Sequence, residues 1–132
     1  MPDELAHARG WFLKAESDFT TAKNLLRSRG PYDTACFHAQ QPAEKYLKGL
    51  LVLAGKPFPP THNLEDLQRI GETALEAWPL GGLDLAELTP YAVQLRYDFE
   101  FWPDRTTAEQ ALQSVAEVRR RVLHHIPPEA QP

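Results

Sequence analysis

The sequence predicts an all-α protein, an up-and-down bundle of four to five helices whose first two are long and antiparallel. Apolar residues recur every three or four positions over most of the 132 residues, as they do on one face of a helix. No stretch alternates apolar and polar residues over more than a few positions, so no sheet is expected. Glycine and proline residues separate the helical patterns, and short connections favour antiparallel neighbours.

The first two helices are predicted from two unbroken apolar stripes. Gly30 ends the first helix and Pro31 begins the second, in the order that helix boundaries favour. Pro42 lies inside the second helix, where the missing bond to the carbonyl of His38 predicts a kink. The stripes consist of Leu5, Ala8, Phe12, Ala15, Phe19, Ala22 and Leu26 in the first helix and Tyr32, Cys36, Ala39, Ala43, Tyr46, Leu50 and Leu53 in the second.

A third and a fourth helix follow the segment KPFPP, whose prolines break helical structure. Thr61 or Asn63 is the expected N-cap of a short third helix. The fourth begins near Asp84 or, with Thr89 as cap and Pro90 at the first helical position, one turn later. The apolar positions are Leu64, Leu67 and Ile70 in the third helix and Leu85, Leu88, Ala92 and Leu95 in the fourth.

The last helix has both a start signal and an apolar stripe. Thr106 and Glu109 match the capping-box pattern T-x-x-E. Behind them, the predicted buried positions are Ala108, Ala111, Val115, Val118 and Val122. We therefore expect one helical domain at residues 1–126 and a disordered tail at 127–132.

Composition and charge exclude several classes of protein. Hydrophobic residues make up 42% of the chain and charged residues 24%, as in folded soluble domains, and the apolar runs are too short for a membrane span. A net charge of −4 argues against binding nucleic acid through overall charge. The single cysteine, Cys36, cannot form an internal disulfide, and no secretory signal is evident, so we expect a cytoplasmic protein.

A polar stripe runs along the second helix beside the apolar one. Its members, at spacings of three, four and three, are His38, Gln41, Lys45 and Lys48. Such a stripe is most often a solvated face. This one, however, lies with Gln40 and Glu44 beside Pro42, and a kink next to polar groups often marks a site or an interface. Lysine can hold a phosphate, while glutamine and histidine can hydrogen-bond a base or a partner's backbone.

Two further segments are candidates for function. The run VRRRVLHHI places arginines one turn before two histidines, which suits RNA cleavage by general acid and base, although a helix C-terminus also favours positive charge. The run LRYDFEFWPDR mixes aromatic and charged residues and favours a subunit contact over base stacking, because acidic residues are interspersed. Metal-ligand spacings, phosphate loops and catalytic serine or cysteine motifs are absent, so we predict no metal and no cofactor.

The chain resembles the HEPN domain, the higher-eukaryote and prokaryote nucleotide-binding domain, over roughly residues 10 to 123. The most specific elements are F-H-A-Q-Q-x-A-E-K with a further lysine three positions on, and the later T-H-x-L. They lie within two resembling runs, AESDFTTAKNLLRSRGPYDTACFHAQQPAEKYLKGLLVLAGKPFPPTHNLEDL and RYDFEFWPDRTTAEQALQSVAEV.

The resemblance implies a helical bundle, usually a homodimer or higher homo-oligomer, that partners a minimal nucleotidyltransferase as a substrate-binding protein or as an RNase toxin. RNase members carry the motif R-x4-6-H. Arg96 matches the arginine, but no histidine follows it at that spacing. The residues that follow are similar instead to the R-Y-P-D pattern of the non-toxin subgroup, with an insertion, at Tyr97, Asp98, Pro103 and Asp104.

The resemblance and the polar stripe together give our principal hypothesis. The chain is a non-catalytic HEPN module that binds a nucleotide or nucleotide-like ligand and partners a minimal nucleotidyltransferase in a toxin–antitoxin-like pair. The expected ligand-binding residues are His38, Gln41, Lys45, Lys48, His62, Arg96 and Tyr97. The alternative is a metal-independent HEPN ribonuclease acting on RNA, with catalytic residues among Arg96, Arg119, His124 and His125. A purely structural assembly, whose stripe meets only water or a sister chain, is the third hypothesis.

Overall fold

The computed structural model describes residues 2–132, and within that range it contains helices but no strand. The prediction of an all-α bundle is confirmed. Its elements are α1 (Pro2–Arg27), α2 (Tyr32–Leu53), α3 (Leu64–Ala74), α4 (Tyr91–Tyr97), α5 (Arg105–His125) and a short 3₁₀ turn (Pro128–Ala130).

The two long helices pack along their length as an antiparallel pair. Phe12 near the start of α1 contacts Gly49 near the end of α2, whereas Leu26 near the end of α1 clusters with Cys36 near the start of α2. At Gly49 the helices approach so closely that a Cβ would lie 2.4 Å from the Phe12 ring. The predicted stripes of both helices are buried, except for partly exposed residues at their ends, Leu5, Tyr32 and Leu53.

The second helix runs unbroken through Pro42, which is itself buried. The proline therefore does not end the helix, and residues on both sides of it share one continuous surface. The five predicted core positions of α5 are also all buried, and this helix packs against α2.

One predicted helix cap agrees with the structure, and another does not. Asn63 caps α3, since its side-chain oxygen accepts from the Asp66 N–H at 3.0 Å. The capping box predicted for α5 is wrong, because Asp104, two residues before Thr106, accepts from the Thr107 N–H at 2.9 Å. A carboxylate at the helix start is a strong cap and fixes the earlier beginning.

The fourth helix begins at Tyr91, one residue later than the later of the two predicted starts. Pro90 is its N-cap. The hydroxyl of Thr89 instead ties this region to α3: it donates to Glu65 at 2.6 Å and accepts from the Leu64 N–H at 3.2 Å.

Residues 127–132, predicted as a disordered tail, contain the 3₁₀ turn Pro128–Ala130 and contact α1 and α5. Ala130 is fully buried, and the carbonyl of Gln131 accepts from Arg9 Nε at 2.8 Å. The side-chain amide of Gln131 donates to the carbonyl of Leu123 at 2.9 Å. The segment thus satisfies carbonyl groups at the end of α5 and packs on α1.

The single cysteine of the chain lies in the core. Cys36 is buried, and burial, together with the nearby carboxylates of Asp33 and Asp104, raises the pKa of its thiol to about 12. A nucleophilic role for this thiol is therefore not favoured.

Among the described residues, no helix is long and apolar enough to cross a membrane.

Candidate functional site

The polar stripe of α2 meets α1 through the carboxylate of Asp18. The Lys45 ammonium donates to one carboxylate oxygen, and His38 Nδ1 lies 3.3 Å from the other. Burial raises the pKa of Asp18, but the hydrogen bonds from His38 and Lys45 outweigh burial, so the pKa lies below its ordinary value. Asp18 is therefore a charged anchor that orders two residues of the stripe.

Glu44, the residue before Lys45, is the centre of a second cluster on α2. Its carboxylate is nearly fully buried and accepts from Lys48 Nζ at 3.0 Å and from Gln40 Nε2 at 3.2 Å. His62, from the loop before α3, places its Nδ1 2.9 Å from the same carboxylate. A buried carboxylate is stable only with such partners, so this loop and α2 are held in one arrangement.

Gln41 extends the second cluster, since its amide donates to the side-chain oxygen of Gln40 at 2.7 Å. Gln41 also lies between His38 and Lys45 in the sequence of the stripe, so the two clusters are neighbours on one side of α2. We call this surface the polar face and define it by Asp18, His38, Gln40, Gln41, Glu44, Lys45, Lys48 and His62.

Aromatic rings border the polar face at both ends. Lys48 Nζ lies 5.6 Å from the centre of the Trp11 ring and 5.9 Å from that of Phe58. At the other end, Phe37 contacts the His38 ring edge-to-face, with ring centres 5.3 Å apart. Rings of this kind can shield or stack a bound group.

Arg96 joins the polar face through the same phenylalanine. Its guanidinium carbon lies 5.5 Å from the centre of the Phe37 ring, so this contact joins α4 to α2. Tyr97, the next residue, is 71% exposed, and none of the hydrogen bonds or ring contacts found in residues 2–132 links it to the polar face. Of the seven predicted ligand-binding residues, the structure thus brings six together and leaves Tyr97 beside them.

The arginines near the end of α5 lie outside the polar face and form ion pairs with carboxylates. Arg119 makes a bidentate ion pair with Glu16, at 2.7 and 3.0 Å, and the Tyr46 hydroxyl donates to the same carboxylate at 2.9 Å. Burial raises the pKa of Glu16, but hydrogen bonds from Arg119 and Tyr46 outweigh it and lower the pKa overall. Because Glu16 and Asp18 are two residues apart on α1, they face different sides of that helix.

The other basic residues of α5 make no joint site either. Arg120 and Arg121 both pair with Glu117, and their hydrogen bonds lower the pKa of Glu117 to about 2. His124 and His125 are exposed at the end of the helix, and no hydrogen bond within residues 2–132 joins either of them to an arginine. The R-x4-6-H spacing on this helix therefore does not correspond to an assembled pair.

Three members of the polar face were not among the predicted site residues, namely Asp18, Gln40 and Glu44. Gln40 and Glu44 carry a signal in the sequence, because an amide and an acid lie among the apolar residues of α2 beside Pro42. Asp18 carries no such signal. Its role depends on how α1 is rotated against α2, which residue spacing within one helix does not define.

The comparison with known families agrees with this fold. A family model of the HEPN domain matches residues 8–125, nearly the whole chain. The chain therefore belongs to the HEPN domain family. No curated protein and no solved structure matches it.

Proposed function

We propose that this chain is a non-catalytic HEPN module that binds a nucleotide or nucleotide-like ligand on the polar face and partners a minimal nucleotidyltransferase in a toxin–antitoxin-like pair. The observation that carries the ligand proposal is the row of ordered donors and acceptors along α2, bordered by aromatic rings. Ligand sites combine apolar walls with a few placed polar groups in this way.

The charges on the polar face suit a ligand with a polar ring edge. Lys45 and Lys48 are each paired with a carboxylate of the chain itself, so the face does not present bare positive charge. Gln41 and His62 are partly or largely exposed and have hydrogen-bonding capacity beyond their internal partners. Recognition would therefore depend on hydrogen bonds more than on attraction to phosphate.

Arg96 is the residue best placed to meet a phosphate group of the ligand. It is exposed, lies over Phe37 at the edge of the polar face, and has no ion-pair partner within residues 2–132. A guanidinium binds phosphate through two parallel hydrogen bonds. A ligand with a planar base on the polar face and a phosphate at Arg96 fits this arrangement.

Binding of nucleotides is the experiment that tests the ligand proposal. Adenine and guanine nucleotides should raise the melting temperature of the wild-type chain, since a ligand at a hundredfold excess over its Kd stabilises the folded state by about 2.7 kcal/mol. Gln41→Ala and Arg96→Ala should each weaken binding in calorimetry, whereas His124→Ala, which is outside the polar face, should not. A chain whose melting temperature no nucleotide changes would contradict the proposal and favour a purely structural role for the polar face.

The transferase partner is supported by the residues similar to the R-Y-P-D pattern. Arg96, Tyr97 and Asp98 are all exposed at the end of α4, where another protein could reach them. The test is to purify the chain together with a minimal nucleotidyltransferase from the same genome and to measure complex formation by gel filtration. Separate elution of the two proteins would count against the partnership without affecting the ligand proposal.

A metal-independent ribonuclease is the second candidate, and one contact favours it. Arg96 and His38 both contact the ring of Phe37. The guanidinium carbon lies 5.5 Å from the ring centre, and the centre of the imidazole lies 5.3 Å from it. Asp18 holds His38 through Nδ1, which leaves Nε2 as the nitrogen for proton transfer. A histidine oriented by a carboxylate near an arginine is suited to phosphodiester cleavage.

Cleavage of labelled RNA in the presence of a chelator separates the two candidates. The non-catalytic proposal expects intact RNA even at high protein concentration. If cleavage occurs, loss of activity in His38→Ala would assign it to the Arg96 side of the molecule, and loss in a His124→Ala/His125→Ala double variant would assign it to α5. Either loss would overturn the non-catalytic proposal.

A further inference from the structure

A cavity of about 180 Å³ opens at one end of the bundle, outside the polar face. Its inner part is lined by the buried side chains of Leu50, on α2, and Trp78, in the loop after α3. His125, an exposed residue, lies at its mouth. The remaining lining residues are apolar and partly exposed, namely Leu53, Ala54, Leu75 and Pro79.

The ring of Trp78 is a fixed wall of this cavity. Its indole N–H donates to the side-chain oxygen of Gln68 at 2.7 Å. Gln68 is buried in turn, and its amide donates to the carbonyl of Leu83 at 3.3 Å. The ring also packs directly on Gly71 of α3, where there is no room for a Cβ. Because the one polar atom of the tryptophan side chain is bonded within the chain, a ligand would meet a preformed apolar wall.

The size and lining of the cavity suit a small apolar group. An apolar cavity of about 150 Å³ in a protein core can hold one benzene molecule. The cavity beside Trp78 therefore has room for one aromatic ring or one branched alkyl group. Ligand sites combine such apolar walls with a few polar groups that fix the orientation of the ligand.

The electrostatic surroundings of the cavity favour a cation. Three helices end at it, since Leu53 is the last residue of α2, Leu75 is the C-cap of α3 and His125 is the last residue of α5. Each helix C-terminus carries a partial negative charge of roughly half an elementary charge. The last turns of α2 and α3 contain no basic residue, and the lining found among residues 2–132 includes neither lysine nor arginine.

Two groups of the lining can bind a cation directly. A tryptophan ring attracts a cation that lies over its face, and Trp78 supplies such a ring. The carbonyl of Leu53 lacks its usual helical partner, because the residue four positions later is Pro57, which has no N–H. No other donor within residues 2–132 bonds this carbonyl. An ammonium group has three hydrogens to donate.

We propose that the cavity binds a small apolar amine. The ring or alkyl group of the amine lies against Leu50 and Trp78, and its ammonium group lies at the mouth, beside His125 and the helix C-termini. The cavity shares no residue with the polar face. This inference therefore goes beyond the proposed nucleotide ligand and transferase partner and does not depend on either.

Three probes of similar shape test the charge of the ligand, namely benzylamine, benzyl alcohol and benzoate. Each is titrated into the full chain, and binding is measured by NMR from the shift of the Trp78 indole N–H signal. Benzylamine should bind about two- to fivefold more tightly than benzyl alcohol, the gain of one favourable charge at a helix terminus, and benzoate should bind least tightly. No binding of benzylamine, or binding no tighter than that of the alcohol or the carboxylate, would overturn the inference.

Charge substitutions at His125 test the position of the ammonium group. His125→Glu should lower the Kd of benzylamine about two- to fivefold, and His125→Lys should raise it by a similar factor, as for an exposed ion pair. The Kd of benzyl alcohol should not change. The matched controls are His124→Glu and His124→Lys, at an exposed neighbour that does not line the cavity, and their effects should be smaller. Equal effects at the two positions would contradict the placement of the amine.

A larger side chain at Ala54 tests the cavity itself. Ala54→Phe should fill the space that the ligand occupies and raise the Kd of benzylamine about tenfold or more. Because Ala54 is partly exposed, the variant should keep its helical circular dichroism. A folded Ala54→Phe chain that binds benzylamine like wild type would overturn the inference. The substitutions at His125 change only an exposed side chain, so they test the inference even if Ala54→Phe does not fold.

Discussion

Two carboxylates on α1, two residues apart, have similar surroundings and different consequences. Glu16 faces α5 and is held by Arg119 and Tyr46, while Asp18 faces the polar side of α2 and is held by His38 and Lys45. Both are partly buried, and both have a pKa below the ordinary value because hydrogen bonds outweigh burial.

The difference lies in whether a fully buried polar group depends on the carboxylate. On the Glu16 side, the guanidinium of Arg119 binds both oxygens and stays 38% exposed, while the fully buried Tyr46 donates its only O–H. On the Asp18 side, Lys45 and His38 remain about one-quarter exposed and keep further hydrogen-bonding atoms at the surface. The Glu16 contact, the closed side, therefore satisfies a hydroxyl in the core, whereas the Asp18 contact, the open side, holds two partly exposed residues of the polar face.

The largest expected loss of stability comes from a substitution that forces α1 and α2 apart, since this disturbs the contacts of both Glu16 and Asp18. Gly49→Ala would put a Cβ 2.4 Å from the Phe12 ring, and α1 would have to move away from α2. We expect the free energy of unfolding to fall by about 2–3 kcal/mol, the upper range for overpacking. Urea unfolding measures it, and an unchanged midpoint would show that the two helices are not in such close contact.

Breaking the closed side alone should cost less. Glu16→Ala leaves the buried Tyr46 hydroxyl and the Arg119 guanidinium without their shared acceptor. We expect a loss of about 2 kcal/mol in unfolding free energy, as for a hydrogen bond to a charged group whose partners are left unsatisfied. The control is Glu117→Ala, which removes exposed ion pairs on α5 and should leave stability close to wild type.

On the open side, Asp18→Asn keeps the size of the side chain and removes its charge. Stability should fall by about 1 kcal/mol, since Lys45 and His38 can partly turn to solvent. Nucleotide binding should weaken in this variant and persist in Glu16→Ala. The comparison between the two sides would fail if Glu16→Ala were the variant that lost binding.

Acid should remove the contribution of both carboxylates. Because the pKa of Asp18 and of Glu16 is lower in the folded chain, their stabilisation is present above the pKa of the unfolded chain, about 4, and is lost as pH falls through the folded value. The difference in stability between wild type and Asp18→Asn should therefore be largest near neutral pH and shrink in acid. Unfolding midpoints across this range would measure it, and a gap that widened in acid would contradict it.

The smallest effect is expected on the outward side of α1, away from both carboxylates. A Cβ at Gly10 would meet nothing within 4 Å. Gly10→Ala should therefore stabilise the helix by about 0.5 kcal/mol, because alanine loses less backbone freedom on folding. It is also the matched control for Gly49→Ala, and a loss of stability at Gly10 would indicate a contact on this side of α1.

The sequence predicts more of the core than of the polar face. Apolar spacing identifies the buried side of α5 in full, because that spacing depends on one helix at a time. The cap at Asp104 was missed because a matching pair, Thr106 and Glu109, follows it. Asp18 was missed for a different reason: its partners lie on α2, and only the packing of two helices brings them together.

The single thiol can be used to measure how often the helices of the bundle separate. Cys36 is buried with Leu26, Ala35 and Ala108, where α1, α2 and α5 meet, and its raised pKa keeps it protonated. A thiol reagent can label it only when these helices separate, so the labelling rate under native conditions gives the free energy of that opening. No dye or added cysteine is required, since the chain has no other thiol to compete.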